Sequence, residues 1–518
     1  MVMGKVGGII LDESVVFGRD DENGNASVLP AAEYLLRKLR HSSIPTGISY
    51  GLSLSTHKVM SLLKRTAKLH SCDCFSLDAS SLDNALNGIG LNWGDAGGII
   101  LYLVSNDKKD VFLKMTDRGW LIIVPNVEGG NAGENSSLLY IKKLEELPLT
   151  ICRLNKKAVN YNVVTVGFIM KPSREEDFAK RGAFPMRPTE NGLIFMPLTF
   201  DLPISSQLEE IDVILHKATD EIISVELSSS SEFADKVTFT RGMNELERYM
   251  AHYPDFCSID PLKNIYPVLD RLKIQQILHD LEDLNKEGCK TIRGPHFLKI
   301  DDFNEPDLGQ RLLEANLTLP SIVKPQIACG VADAHSMAIV FKVEDYKDLS
   351  TPLPAVVQEY VDHSSSIFKF YVLGERVFYA AKKSTPNADV LMKLSEKHGF
   401  KPLVFDSLKS LPIDKENQNV GDGVCSKDSN QFIDLDLVTD AAIWLRRRLD
   451  LTIFGFDVVV QEGSGDHVIV DVNYLPSFKE VPDTIAIPAF WDAIKSRFES
   501  LKTKQAMSLP PTQVNHFT

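Results

Sequence analysis

Apolar positions along this chain switch repeatedly between strand-like and helix-like spacing. Residues 7–11 and 98–104 are short continuous apolar runs, as in buried strands, while 31–39 and 58–69 repeat at helical intervals. Over residues 1–155 this alternation predicts an α/β unit with a mostly parallel sheet. A second α/β unit is expected over 161–245. It opens on the strand of 163–171, continues through a polar helical piece and a strand at 192–196, and reaches a further strand within 211–220. The serine-rich 228–231 reads as a loop. Residues 246–500 carry a helix over 272–284 and then several strands, at 321–324, 337–341, 356–361 and 367–373. They close with a helix over 436–449 and two apolar strands around the polar turn 461–466. Residues 414–431 are polar and without periodicity, which predicts a mobile surface insert, and 501–518 reads as a frayed polar tail.

Composition narrows the function classes. A 518-residue chain needs several cores, and 44% hydrophobic with 24% charged residues is ordinary for a globular protein. A net charge of −14 argues against non-specific binding to nucleic acid or anionic membranes, so an anionic ligand needs basic side chains gathered locally. Seven cysteines form no disulfide framework, and Cys72-x-Cys74 lacks a second pair for a zinc site. No signal-like segment opens the chain and no apolar run is long enough to span a bilayer, so a cytoplasmic or nuclear location is expected, with no membrane partner.

The candidate chemistry concentrates in the last strand pair. Alternation puts Asp471 and Asn473 on one face, Val470 and Val472 on the other, with Asp457 meeting them from the neighbouring strand. Two carboxylates and an amide oxygen suit Mg²⁺ shared with nucleotide phosphates; turn-forming residues at a strand end are the plainer reading. Basic residues lie at other strand ends: Lys171, Lys217, Lys324, and Lys369 on the face opposite Phe368 and Phe370. Gly330 and His335 sit in a small-residue loop between strands. Gln358 and Glu359 interrupt an apolar run, as groups that meet an adenine or ribose would, and Lys382-Lys-Ser-Thr385 sets two cations and two hydroxyls near a strand end. Arg271, early in its helix, reads as a surface residue or a phosphate clamp, and Arg446–Arg448 as a solvated run.

Two resemblances follow. The strand Gly8-Ile-Ile-Leu-Asp12 resembles the opening of haloacid-dehalogenase-type phosphatases, but the family's second Asp falls on Ser14, so a non-catalytic α/β appendage is expected. The ordered series Lys171, His216-Lys217, Asp270-Arg271, Lys324-Pro325, Gly330, His335-x-Met337, Gln358-Glu359, His363, Lys369, Asp457, Asp471-x-Asn473 resembles the inositol 1,3,4-trisphosphate 5/6-kinases, or inositol-tetrakisphosphate 1-kinases. This likeness spans about 161–495, and the N-terminal extension looks like that of the long plant members. It implies an α/β (α+β) ATP-grasp kinase core. Arg271, Lys324, Gln358, Ser384 and the backbone of Glu359-Tyr360-Val361 would hold ATP. Asp457, Asp471 and Asn473 would hold two Mg²⁺, and Lys171, Lys217, His335 and Lys369 the inositol polyphosphate, in a chain expected to be monomeric. Three positions depart from the family pattern. Ser477 replaces a glycine beside the substrate, and Asp333 and Ala334 replace Lys and Ser before His335. An inositol-phosphate sensor without strong catalysis is the alternative, and an ATP-grasp carboxylate–amine ligase a third reading.

Overall fold

The computed structural model describes residues 5–19, 26–51, 57–77, 89, 93, 98–125, 137–159, 163–226, 237–285, 290–397, 399, 401–409 and 433–508. The expected loop at 228–231 and insert at 414–431 lie outside the described residues. The chain divides into two compact units, Met1–Leu215 with Tyr249–Cys257, and His216–Arg248 with Ser258–Thr518.

In the first unit, strands β1 (Val6–Asp12), β2 (Thr46–Tyr50), β3 (Asp73–Ser76), β4 (Ile99–Leu103), β5 (Leu121–Pro125) and β6 (Leu138–Ile141) form a sheet of order β3-β2-β1-β4-β5-β6. All its neighbours are parallel. A parallel sheet is covered on both faces, which explains the continuous apolar runs. Ile9, Leu11, Ile48, Leu101 and Leu103 pack beneath α1 (Pro30–Leu39), α2 (His57–His70) and α3 (Leu147–Ala158). Ile10, Tyr102, Ile122 and Val124 face a second cluster with Phe112, Met115 and Trp120. Helix α1 shows the local logic: Pro30 opens it, Ala32, Leu35, Leu36 and Leu39 bury one stripe, and Arg37 and Lys38 lie in its last turn. The same unit holds β7 (Val164–Ile169), α4 (Pro172–Lys180) and β8 (Leu193–Pro197), with β8 parallel to β7.

The second unit is built around two five-stranded sheets. Its helices α5 (Leu262–Leu269) and α6 (Arg271–His279) precede strands β9 (Ile292–Arg293), β10 (Phe297–Ile300), β11 (Ser321–Pro325), β12 (Ser336–Val340), β13 (Ala355–Glu359), β14 (Ser366–Leu373), β15 (Arg376–Lys383) and β16 (Leu403–Asp406). Helix α7 (Leu435–Leu449), strands β17 (Ile453–Val460) and β18 (His467–Tyr474), and helix α8 (Asp483–Ser508) follow. One sheet, of order β10-β13-β11-β12-β16, is antiparallel throughout. The other, β9-β18-β17-β14-β15, is antiparallel except at β9. Phe370 and Phe456, opposite each other in the second sheet, stack with centroids 5.2 Å apart, leaving the reverse face of β14 and β17 to Lys369 and Asp457. Before β17, the buried Asp260 carboxylate accepts the N–H groups of Thr452 and Ile453; burial pushes its pKa up to about 6 against those hydrogen bonds.

One sequence expectation needs correction here. The frayed tail was expected to cover 501–518, but α8 runs on to Ser508. Lys502, Lys504, Gln505, Ala506 and Met507 are good helix formers, so propensity outweighs polarity over that stretch.

Candidate functional site

A cavity of about 430 Å³ lies within the second unit, a size suited to a nucleotide-class ligand. It is lined by Arg271, Lys324, His335, Gln358, Glu359, Tyr360, Val361, Lys369, Ser384, Asp457, Asp471 and Asn473, so twelve residues singled out from the sequence share one cavity.

The acidic part rests on β17 and β18. Asp457 lies directly across from Asp471, and Asn473 donates its amide to Asp471 Oδ2 at 2.8 Å. Simple alternation would turn Val470 away from Asp471. The register instead slips between Asp457 and Val458, pairing Asp457 with Asp471 and Val458 with Ile469, so Val470 is the extra residue of a β-bulge. Val470 and Asp471 consequently both reach the cavity, which corrects the expected placement of Val470. The carbonyl of Val470 accepts the Lys324 ammonium at 3.2 Å. The alternating pattern carries no sign of this bulge.

Cations surround those carboxylates. Lys369 sits opposite Asp457 in the β14–β17 register and donates to its Oδ2 at 2.6 Å. Burial pushes the Asp457 pKa up, and the Asp471 carboxylate adds to it against the lowering influence of Lys369. Burial likewise lowers Lys324 to about 8, although Asp471 opposes the shift. Such a donor set fits a divalent cation. It offers hard oxygens from two adjoining carboxylates and an amide, and an ammonium already stands on one carboxylate. Among the described residues, no group of three or more His, Cys, Asp or Glu side chains forms a metal site, so a metal here would complete its shell with ligand or water oxygens.

Arg271 has a structural engagement that its position early in a helix does not reveal. Asp270 caps α6, accepting from Leu272 N at 2.9 Å, and also accepts the Gln326 amide at 3.0 Å. Arg271 then donates to the carbonyls of Pro325, Ile327 and Ala334 at 2.6, 3.0 and 3.1 Å, clamping both ends of the loop that carries His335. Gly330 is required within that loop: its φ is +88°, and a Cβ there would lie 2.6 Å from Ile222. His335 faces Ser407, its Nδ1 3.3 Å from the hydroxyl, and burial lowers its pKa.

The opposite end is more neutral. Ile322, Met337, Ile367 and Val459 supply apolar wall. Gln358 is buried with its Nε2 unpartnered, as an amide awaiting a ligand acceptor would be. Glu359 points its carboxylate at Arg293, 2.7 Å away, and donates its own N–H to the His296 carbonyl at 3.0 Å. Tyr360 donates to Thr385 Oγ1 at 2.6 Å. The sequence series included His363 but gave it no role. Its Nδ1 lies 2.6 Å from the Val361 carbonyl and therefore carries the proton; Nε2, 2.9 Å from Ser384 Oγ, accepts from that hydroxyl. Burial lowers the His363 pKa and favours this neutral tautomer. Lys382 also lines the cavity and is ion-paired with Glu480, which accepts from Tyr371 at 2.6 Å.

Three other expected residues stand apart from the cavity lining. Lys217 is buried, donating to the Tyr474 carbonyl at 2.5 Å and lying over its ring. Ser477 is half-buried beyond β18, and Lys171 lies in the first unit at the start of α4. Of the departures, Asp333 is exposed and Ala334 is buried in the Arg271-clamped loop.

In the first unit, Asp12 ends β1 and is almost wholly enclosed. It accepts from Ser14 N and Oγ at 3.0 and 2.6 Å, Ser49 Oγ at 3.2 Å, Tyr102 OH at 3.0 Å and Lys108 Nζ at 3.0 Å.

Comparison with known proteins gives two family matches. Residues 3–157 match "ITPK4, N-terminal HAD-like domain", and residues 287–492 match the inositol 1,3,4-trisphosphate 5/6-kinase ATP-grasp domain. Inositol-tetrakisphosphate 1-kinase 6 of Oryza sativa subsp. indica is 47% identical over 96% of this chain and 91% of its own length. Inositol-tetrakisphosphate 1-kinase of Danio rerio is 27% identical over 60% of this chain and 72% of its own. Among solved structures, D-alanine–D-alanine ligase of Bacillus anthracis covers 66% of this chain and all of its own, at 12% identity and a TM-score of 0.38. No helix among the described residues is long and apolar enough to cross a membrane.

Proposed function

The chain belongs to the inositol-tetrakisphosphate 1-kinase family, and from that premise we propose that it transfers the γ-phosphate of ATP, with Mg²⁺, to a hydroxyl of an inositol tris- or tetrakisphosphate. The observation that carries this reading is the convergence of Asp457, Asp471 and Asn473 with Lys324 and Lys369 on one cavity.

Phosphoryl transfer asks a protein mainly for positioning and charge stabilisation. Magnesium held by Asp457, Asp471 and Asn473 would supply neutralisation of the β- and γ-phosphate oxygens. Lys324, fixed against the bulge carbonyl, adds a positive charge beside them. Gln358 and the backbone of Glu359–Val361 receive the base, while the Val361–His363–Ser384 relay holds that segment in place. Arg271 holds the His335 loop over the cavity and also serves the nucleotide side. His335 and Lys369 address the acceptor's phosphates, with Lys171, Lys217 and Ser477 retained in the acceptor assignment from family resemblance. No side chain is assigned as general base: the hydroxyl attacks in line, and its proton leaves to solvent or a phosphate oxygen.

The test incubates the full chain with γ-labelled ATP, Mg²⁺ and a panel of inositol tris-, tetrakis- and pentakisphosphates, resolving products chromatographically. Label is expected on at least one tris- or tetrakisphosphate. ATP binding with no labelled product would instead establish the sensor reading, for which the exposed Asp333 near the His335 loop gives a reason.

A further inference from the structure

We propose that Lys369 is a displaceable counter-ion of the metal site, through which loading of the metal–nucleotide prepares the cavity for its polyanionic acceptor. This rests on the assignment of Asp457 as a metal ligand.

The cavity's cations are not equivalent. Lys324 is 8% exposed and tied to the Val470 carbonyl; Arg271 is 4% exposed and tied to several loop carbonyls; Lys382 is paired with Glu480. Lys369 differs in its partner and not in its exposure: its side chain is 32% exposed against 38% for Lys382, but of these four cations it is the one whose ammonium occupies Oδ2 of Asp457, the proposed metal ligand. The pair is set by cross-strand register, so the two backbones stay neighbours whatever the ammonium does.

A divalent ion taking Asp457 oxygens competes for the place the ammonium holds. Lysine has a flexible four-carbon stem and a compact charge, so it can leave without moving the strand. Once displaced it stands in the same cavity without its carboxylate, where an acceptor phosphate can pair with it. The unloaded state therefore keeps Lys369 from the acceptor and balances the acidic pair, and metal loading reverses both conditions.

The sign of the coupling distinguishes this switch from general electrostatics. Two anionic ligands in one cavity repel, so a metal–nucleotide that remains anionic should weaken acceptor binding by charge alone. Release of Lys369 predicts the opposite, with reciprocal tightening of the metal–nucleotide by the acceptor.

Calorimetric titration of the full chain tests this, using inositol 1,3,4-trisphosphate and the non-hydrolysable β,γ-imido analogue of ATP. In the wild type, Mg²⁺ with the analogue should tighten acceptor binding about tenfold, while the analogue in EDTA should not. In Lys369→Met the enhancement should fall to about twofold or less with analogue binding retained, and Lys369→Arg should recover part of it. Acceptor affinity in the wild type that is unchanged or weakened by Mg²⁺ and analogue would overturn the switch while leaving the kinase reading standing. Full enhancement in Lys369→Met would do the same. Failure of the wild type to bind either ligand would overturn both.

Discussion

The two units each place an aspartate in a β-sheet and set a lysine on it, yet the surroundings differ. Asp12 at the end of β1 receives Ser14, Ser49, Tyr102 and Lys108, so its hydrogen-bonding capacity is used internally. Asp457 in β17 receives Lys369, has a second carboxylate across the ladder, and faces a cavity. An aspartate–lysine pair is thus no signature of a reactive site by itself. What separates the two is the capacity left for a ligand: Asp12 is closed by neighbouring hydroxyls, while Asp457 retains a like-charged neighbour and space.

The largest expected effect tests the open member. Asp471→Ala should lower kcat by about 1000-fold or more, roughly 4 kcal/mol of transition-state stabilisation, with an unchanged circular dichroism spectrum. Retained turnover would remove the metal assignment. The closed member should respond in stability. Asp12→Ala leaves buried hydroxyls and a lysine without their acceptor, and should destabilise its unit by about 3 kcal/mol in calorimetry while kcat stays within about twofold. A large loss of kcat with unchanged stability would place Asp12 in the chemistry.

Asp260 sharpens the contrast as a buried carboxylate held by backbone N–H groups. Its folded pKa, about 6, lies above the ordinary 3.8, so the native chain holds that proton more tightly than the unfolded chain. Its contribution to stability is therefore full below about pH 4 and lost as pH rises to about 6, a change of about 3 kcal/mol that Asp260→Asn should remove from denaturant midpoints. An unchanged pH profile in that variant would show that the carboxylate is charged throughout. The smallest effect belongs to the neutral end of the cavity. His363→Ala frees Ser384 and the Val361 carbonyl, and should raise the KM for ATP about tenfold with kcat nearly unchanged, about 1.4 kcal/mol. A fall in kcat at constant KM would move His363 into the chemical step.

Much of this arrangement is legible in the residues. Strands such as Val6–Asp12 and Ile453–Val460 announce themselves as apolar runs, and Ser366–Leu373 by the alternation of Lys369 with Phe368 and Phe370. That Asp471 and Asn473 share one face follows from the same alternation. The bulge at Val470 does not, because an extra residue in one strand is defined by its partner's register. Nor does Arg271's grip on the loop, since its acceptors are backbone carbonyls more than fifty positions away. The extent of α8 was obscured by polarity: an exposed helix and a frayed tail share a composition, and propensity alone separates them.

The central claim is that Asp457, Asp471 and Asn473 hold the divalent ions together with a nucleotide. Electron paramagnetic resonance of Mn²⁺ titrated into the full chain, with and without ADP, measures this directly. The account predicts tight, ADP-dependent Mn²⁺ binding that is lost in Asp471→Ala; Mn²⁺ binding of the same strength and ADP dependence in that variant would contradict it.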